Sequence, residues 1–180
     1  MSRRVVVVPH DPAWSTGFAT AYTGVAPALG ANLVALHHIG STAIPGIYAK
    51  PIIDILAVVT NIELVDQSNA ELERLHYHAR GEFGIPGRRY FYRNDAAGVR
   101  THQIHAFQVG SLGVIRHLAF RDFLRAHTDI ALSYSLLKQR LAAAHPEDIE
   151  AYMDGKDPFI KDVEAKALAW ATGRTGTSTC

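Results

Sequence analysis

The spacing of apolar residues changes period several times along the chain, and each change marks an element. Residues 5–8 read as a short strand or extended arm, ended by Pro9 and the Asp11-Pro12 turn. Residues 13–29 carry helical spacing, with Trp14, Phe18 and Tyr22 recurring four apart on one face. Residues 33–39 form an apolar strand that delivers His38 to its C-terminal end. Ser41 then opens a short helix or turn that Pro45-Gly46 breaks. Residues 52–59 are continuously apolar apart from Asp54, as expected of a strand covered on both faces.

The second half reads more helically. Residues 62–76 predict a helix with Leu64, Leu72 and Leu75 as apolar positions. Residues 77–83 and 88–93 predict strands around the 84–87 loop, and Asn94-Asp95 with Gly98 marks a hairpin turn. Residues 103–109 alternate as a strand, with His105 and Phe107 on one face. Residues 115–125, 129–144 and 147–171 predict helices. The sum is an α+β fold: a mixed sheet with packed helices and a helical C-terminal half. Between Ser41 and Asp54 lie 12 residues, enough for a short crossover that returns beside the first strand.

Composition narrows the class. At 180 residues the chain suits one domain, expected over 1–172, with a flexible Gly/Ser/Thr tail over 173–180. About half the residues are apolar and a fifth charged, ordinary for a soluble protein. A formal charge of +1 provides no general field for nucleic acid or anionic membrane, so neither is an expected partner. The single cysteine, Cys180, is terminal and can form no disulfide within the chain. No apolar run approaches the ~20 residues of a membrane span, and Val5–Val8 is too short for a signal peptide's apolar region. The default location is cytoplasmic.

Candidate chemistry gathers around Gly40-Ser41 and Asp54. A glycine at a strand-to-helix corner lets a ligand approach the backbone. Gly40, Ser41 and Thr42 then offer N–H groups and hydroxyls to a phosphate, or Ser41 serves as a simple N-cap. Asp54 has only apolar neighbours, and a carboxylate there requires a metal, a base or hydrogen bonds. It is either a metal- or substrate-binding group or a structural cap on the turn. His38, His105 and Glu82 are the further candidates to hold a divalent ion with it. An Asp/His/His set suits a transition metal better than magnesium. His102 and His105 are three apart, so on a strand they point to opposite faces. His105 is favoured because it keeps register with Phe107. Arg88, Arg89 and Arg121 are planar forks suited to phosphate, with Arg88 and Arg89 alternating so that one faces the site. Lys50, Lys138 and Lys156 could reach a phosphate or be ordinary surface charges. No P-loop, dinucleotide fingerprint, paired CxxC or nucleophile elbow is present.

The segment HIGSTAIPGIYAKPIIDI, residues 38–55, closely resembles the signature of the GrpB family, within the nucleotidyltransferase-fold superfamily. The likeness continues through FGIPGRRYF (83–91), RTHQIH (100–105), FRDFLR (120–125) and YSLLK (134–138) to Tyr152 and Lys156. The superfamily pattern is Gly-Ser, a spacer, then acid-apolar-acid on one strand and a third acid on a later strand. Asp54 matches the first acid, Leu56 stands at the second, and the later strand carries His102 and His105.

The resemblance therefore implies the fold more firmly than the transferase reaction. It points to a metal-dependent enzyme acting on a nucleotide or phosphorylated small molecule, with Asp54, Ser41 and Arg88 as catalytic residues and Mg, Mn or Zn as cofactor. The alternatives are an accessory module that binds such a ligand without turning it over, or a metalloenzyme with unrelated chemistry. Domains of this kind also look like those fused to a dephospho-CoA kinase.

Overall fold

A computed structural model describes residues 4–175. Helix α1 (Ala13–Leu29) leads into strand β1 (Leu33–Ile39), a 3₁₀ turn (Ser41–Ala43) and strand β2 (Ile53–Val59). A 3₁₀ segment (Glu63–Ser68), helix α2 (Asn69–Arg74) and strands β3 (His78–Ala79), β4 (Arg88–Asn94) and β5 (Arg100–Gln108) follow. Helices α3 (Leu112–Ala126), α4 (Thr128–Ala144) and α5 (Ile149–Thr175) complete the chain. No described helix is long and apolar enough to cross a membrane.

The five strands form one mixed sheet in the order β1-β2-β5-β4-β3. Strand β2 pairs antiparallel with β1 and parallel with β5, while β4 runs antiparallel to both β5 and β3. The crossover expected between β1 and β2 is thus a reversal. The intervening loop brings the chain back antiparallel, with Ile39 opposite Asp54.

Strand β2 is covered on both faces, and its alternation sorts two cores. Ile53, Ile55, Ala57 and Val59 face α1 and α2, packing with Val25, Leu29 and Leu72. Leu56 and Val58 face α3, packing with Ile39, Phe107 and Val114. A third core of α3, α4 and α5 includes Ile44 and Ile47 from the β1–β2 loop. That loop is also tied to α4 by the Tyr48 N–H, which donates to Ser135 Oγ at 2.8 Å. In this way the helical half is fastened beside the open end of β2.

Several elements differ from their sequence patterns. The 62–76 segment is broken into a 3₁₀ stretch and a short helix, because Val65 turns into the core while Leu64 stays exposed. Within 77–83 the strand is limited to His78–Ala79, with Arg80 and Gly81 still bonded to Tyr90, before positive φ at Gly81, Phe83 and Gly84 curls the chain out of the sheet. On α1 the buried stripe is Trp14, Ala21, Val25 and Leu29, and Tyr22 lies outside it, exposed. A straight four-residue spacing drifts off one face at 3.6 residues per turn. Helix α5 runs to Thr175, into the stretch whose composition suggests a tail; the remaining 176–180 lie outside the described residues.

Leu56 is fully enclosed between the sheet and α3. We predict that Leu56→Ala costs about 2–5 kcal/mol, read from the midpoint of urea unfolding. A loss below 1 kcal/mol would mean that this face of β2 is not the tightly packed core described.

Candidate functional site

The site begins where β1 ends. Gly40 has φ +70° and ψ −171°, a region that essentially only glycine occupies. A side chain here would also strike Asp54: a Cβ on Gly40 would lie 3.1 Å from Asp54 Cβ and closer still to Oδ2. Glycine therefore both permits the turn and lets the carboxylate lie against its backbone. The Thr42 hydroxyl donates to the Ile52 carbonyl at 3.1 Å and so accepts from His38 Nε2–H at 2.9 Å. The turn is thereby stapled to the start of β2.

Parallel pairing of β2 with β5 aligns Asp54 with Gln103 and Leu56 with His105, all on the α3 side. His105 Nε2 lies 3.6 Å from Asp54 Oδ1. Behind it, Arg88 Nη1 is 3.4 Å from His105 Nδ1, while the same guanidinium donates to the Glu82 and Phe83 carbonyls. A guanidinium only donates, so Nδ1 accepts and the neutral ring carries its proton on Nε2, toward Asp54.

A cavity of about 220 Å³ opens over this corner. Gly40, Ser41 and Asp54 form its floor, and Lys50, Lys138 and Lys156 stand around it. Lys138 is 2% exposed and Lys156 8% exposed. Among the described residues Lys138 Nζ has no hydrogen-bond partner. Burial pushes its pKa down to about 7, helped by Lys156; burial, with Lys50 assisting, brings Lys156 down to about 8. Each ammonium sits over a tyrosine one helical turn earlier, Lys138 over Tyr134 at 4.4 Å and Lys156 over Tyr152 at 4.5 Å. Burial raises the Tyr134 hydroxyl to about 12 despite its hydrogen bond with Ser41, and raises Tyr152 further. Both tyrosines stay neutral and serve as walls.

The predicted site residues thus fall into groups. Gly40, Ser41, Lys50, Asp54 and Lys138 meet in the cavity, with Lys156. His105 faces Asp54 as its alternation suggested, and His102 turns to the other side, against Tyr77 and Arg93. His38 does not join them. Its ring stacks on Phe18 of α1 at 5.1 Å, and burial lowers its pKa to about 4. Because His38 pairs with Ile55 and not with Asp54, strand alternation sends it to the opposite face. Glu82 is also elsewhere: exposed, it accepts from the Gly87 N–H at 2.7 Å and closes the 82–87 loop. Thr42 is buried as the staple already described, and Arg88 reaches His105 without lining the cavity. Arg89 forms a two-pronged pair with Asp66, and Arg121 holds Asp122 and the His38 carbonyl.

Sequence reasoning did not single out Tyr134, Tyr152 or Gln103 for chemistry. One signal was available, a Tyr-x-x-x-Lys spacing repeated at 134–138 and 152–156, which on a helix sets the lysine beside the tyrosine ring.

The donor set does not fit the multi-carboxylate metal centre that the fold implies. The second acid position is the enclosed Leu56, and among the described residues no group of three or more His, Cys, Asp or Glu could hold a metal ion. Positive charge at this corner comes instead from lysine.

The fold is nucleotidyltransferase-like. Cid1, an RNA terminal uridylyl transferase, matches it with a TM-score of 0.52 at 10% identity, covering 72% of this chain and 40% of Cid1. The chain belongs to the GrpB family, whose model ("GrpB protein") matches residues 4–166. The crystal structure of GrpB from Enterococcus faecalis aligns with a TM-score of 0.88 and 42% identity, over 92% of this chain and 99% of that one. UPF0157 protein YqkA of Bacillus subtilis is 42% identical over 98% of this chain; the chain spans about half of YqkA, 51%.

A side chain at position 40 must both strain the turn and displace Asp54. We predict that Gly40→Ala destabilises by at least about 2 kcal/mol, several degrees in Tm. Gly46→Ala, at φ +77° with open space around the added carbon, should cost less. Equal losses in thermal unfolding would show that Asp54 is not pressed against Gly40.

Proposed function

We propose that the chain binds a phosphorylated, nucleotide-like small molecule in the lysine-lined cavity. The observation that carries this reading is Lys138, a buried amine without a hydrogen-bond partner, facing a cavity with two further lysines. Burying an unpaired cation is costly, and a bound dianion removes that cost by pairing with it. Ser41 and the Gly40 backbone add short-range donors, as turns of this kind do for phosphate. Asp54, the one carboxylate lining the cavity among the described residues, is suited to a ligand hydroxyl or to Lys156, whose pKa it raises against the effect of burial. His105 stands 3.6 Å from that carboxylate, with Arg88 behind it.

This reading concerns binding. The lysines neutralise phosphate charge without a metal, and Leu56 leaves nucleotidyl transfer short of its second acid. The metal-dependent reading makes a different prediction, which the same titration separates.

Sulfate, whose charge is constant between pH 6 and 9, is the probe. By calorimetry in EDTA, Lys138→Met and Lys156→Met should each weaken sulfate binding roughly 10- to 150-fold, the worth of about 1.5–3 kcal/mol for a charged hydrogen bond. Binding that ignores both variants and requires added Mg²⁺ or Mn²⁺ would replace this reading with the metal-dependent one.

The pH dependence has a definite sign. In the free protein Lys138 loses its proton near pH 7 and Lys156 near pH 8, facing Lys50, Asp54, Tyr134 and Tyr152. An anion favours the protonated amines, so binding takes up protons and sulfate affinity falls as pH rises through 7–8. Stability of the free protein runs the other way. The unfolded lysine binds its proton up to its ordinary pKa of 10.5 while folded Lys138 does not, so stability rises with pH from about 7 to 10.5. Lys138→Met should flatten that rise, measured as Tm against pH. A wild-type Tm independent of pH in this window would argue against a buried Lys138 without a hydrogen-bond partner.

A further inference from the structure

The phosphate cavity does not end at Lys50. A second hollow of about 320 Å³ opens beside it, and Lys50, Ile52 and Gln103 line both. Three separate pieces of chain wall it. One is the N-terminal segment, which contributes Arg4 and Val6 and is pinned by the Val5 N–H to the Pro146 carbonyl at 2.8 Å and by pairing of Val8 with Ala49. The second is Pro51-Ile52, leading into β2. The third is the β4–β5 hairpin, which contributes Val99.

Val6, Pro51, Ile52 and Val99 give the hollow its apolar surface, with the basic side chains of Arg4, Lys50 and Arg100 around them. Val6 is 44% exposed and Val99 58% exposed, so two β-branched side chains face solvent across the mouth of a charged cavity. Among the described residues no aromatic ring lines this hollow, so a nucleobase would find no stacking platform there, the usual source of base affinity. Arg100 also lines it, but its guanidinium lies over the Tyr92 ring at 3.8 Å and donates to the Tyr90 hydroxyl and Asn94 Oδ1, holding the hairpin together. At the junction of the two hollows, Gln103 presents a carboxamide that can donate to and accept from a polar linking group.

We infer that this annex receives the aliphatic tail of a phosphorylated ligand whose phosphate is held by Lys138 and Lys156. The ligand class is a phosphate ester with a flexible, saturated chain, polar where it passes Gln103 and apolar against Val6, Ile52 and Val99. The inference rests on the phosphate reading above and adds which half of the ligand supplies selectivity. Charge fixes one end of the molecule, and burial of methylenes fixes the other.

Calorimetry with inorganic phosphate, then ethyl, butyl and hexyl phosphate, tests it, with adenosine monophosphate as the base-bearing comparison. Affinity should climb about fourfold for each methylene buried until the annex is full, and hexyl phosphate should exceed adenosine monophosphate. Val99→Asn, and independently Val6→Asn, should abolish the chain-length gain and, adding no charge, leave inorganic phosphate affinity unchanged; both positions are exposed, so either variant tolerates the change. Failure of inorganic phosphate to bind would overturn the phosphate reading itself. Phosphate binding with a flat alkyl series would overturn only the annex. So would tighter binding of adenosine monophosphate that neither valine variant alters.

Discussion

The close approach of Asp54 to Gly40 is the contact on which the rest of the site depends. It requires a residue without a side chain at φ +70° directly after β1, and it requires β2 to return antiparallel so that Ile39 stands opposite Asp54. With those two conditions met, backbone N–H groups, the Ser41 hydroxyl and one carboxylate share an edge of the sheet. Thr42 holds the corner closed from beneath through Ile52 and His38. The remaining groups are placed relative to that corner.

Electrostatics explains the division of labour across the sheet. On the α3 side, Arg88, His105 and Asp54 stand in a row that ends in a carboxylate at the cavity floor. From above, α4 and α5 bring Lys138 and Lys156 over it, each against a neutral tyrosine one turn away. The apolar packing of Leu56 and Val58 beneath leaves no room for a second acid. The result is a pocket with three ammonium groups and one carboxylate, the reverse of the acid-rich balance expected of a metal-dependent transfer site. Beside it Val6, Ile52 and Val99 add an apolar surface among Arg4, Lys50 and Arg100.

The strands and the Gly40 turn were legible because their signals are local. Continuous β-branched residues around Asp54 foretold a strand covered on both faces, and the three-residue spacing of His102 and His105 foretold their opposite directions. Arg88 and Arg89 separated on the same logic, one to His105 and the other to Asp66. His38 was misread as a partner of Asp54. Both lie at the same end of the sheet, but a residue's face depends on its register with the neighbouring strand, and His38 pairs one position away from Asp54. Glu82 was misread for a different reason: its carboxylate satisfies a backbone N–H within its own loop.

By itself, then, the sequence determined the α+β class, the corner at Gly40-Ser41 and Asp54 as a carboxylate beside it. Those features follow from residue chemistry and from the twofold alternation of a strand, both readable within a few residues. Only the tertiary structure decided that Lys138 and Lys156, on helices far along the chain, are buried cations over that corner. Isolated on an amphipathic helix, a lysine is indistinguishable from a surface charge. Its pKa and its role arise from the desolvation that packing α4 and α5 against the sheet imposes.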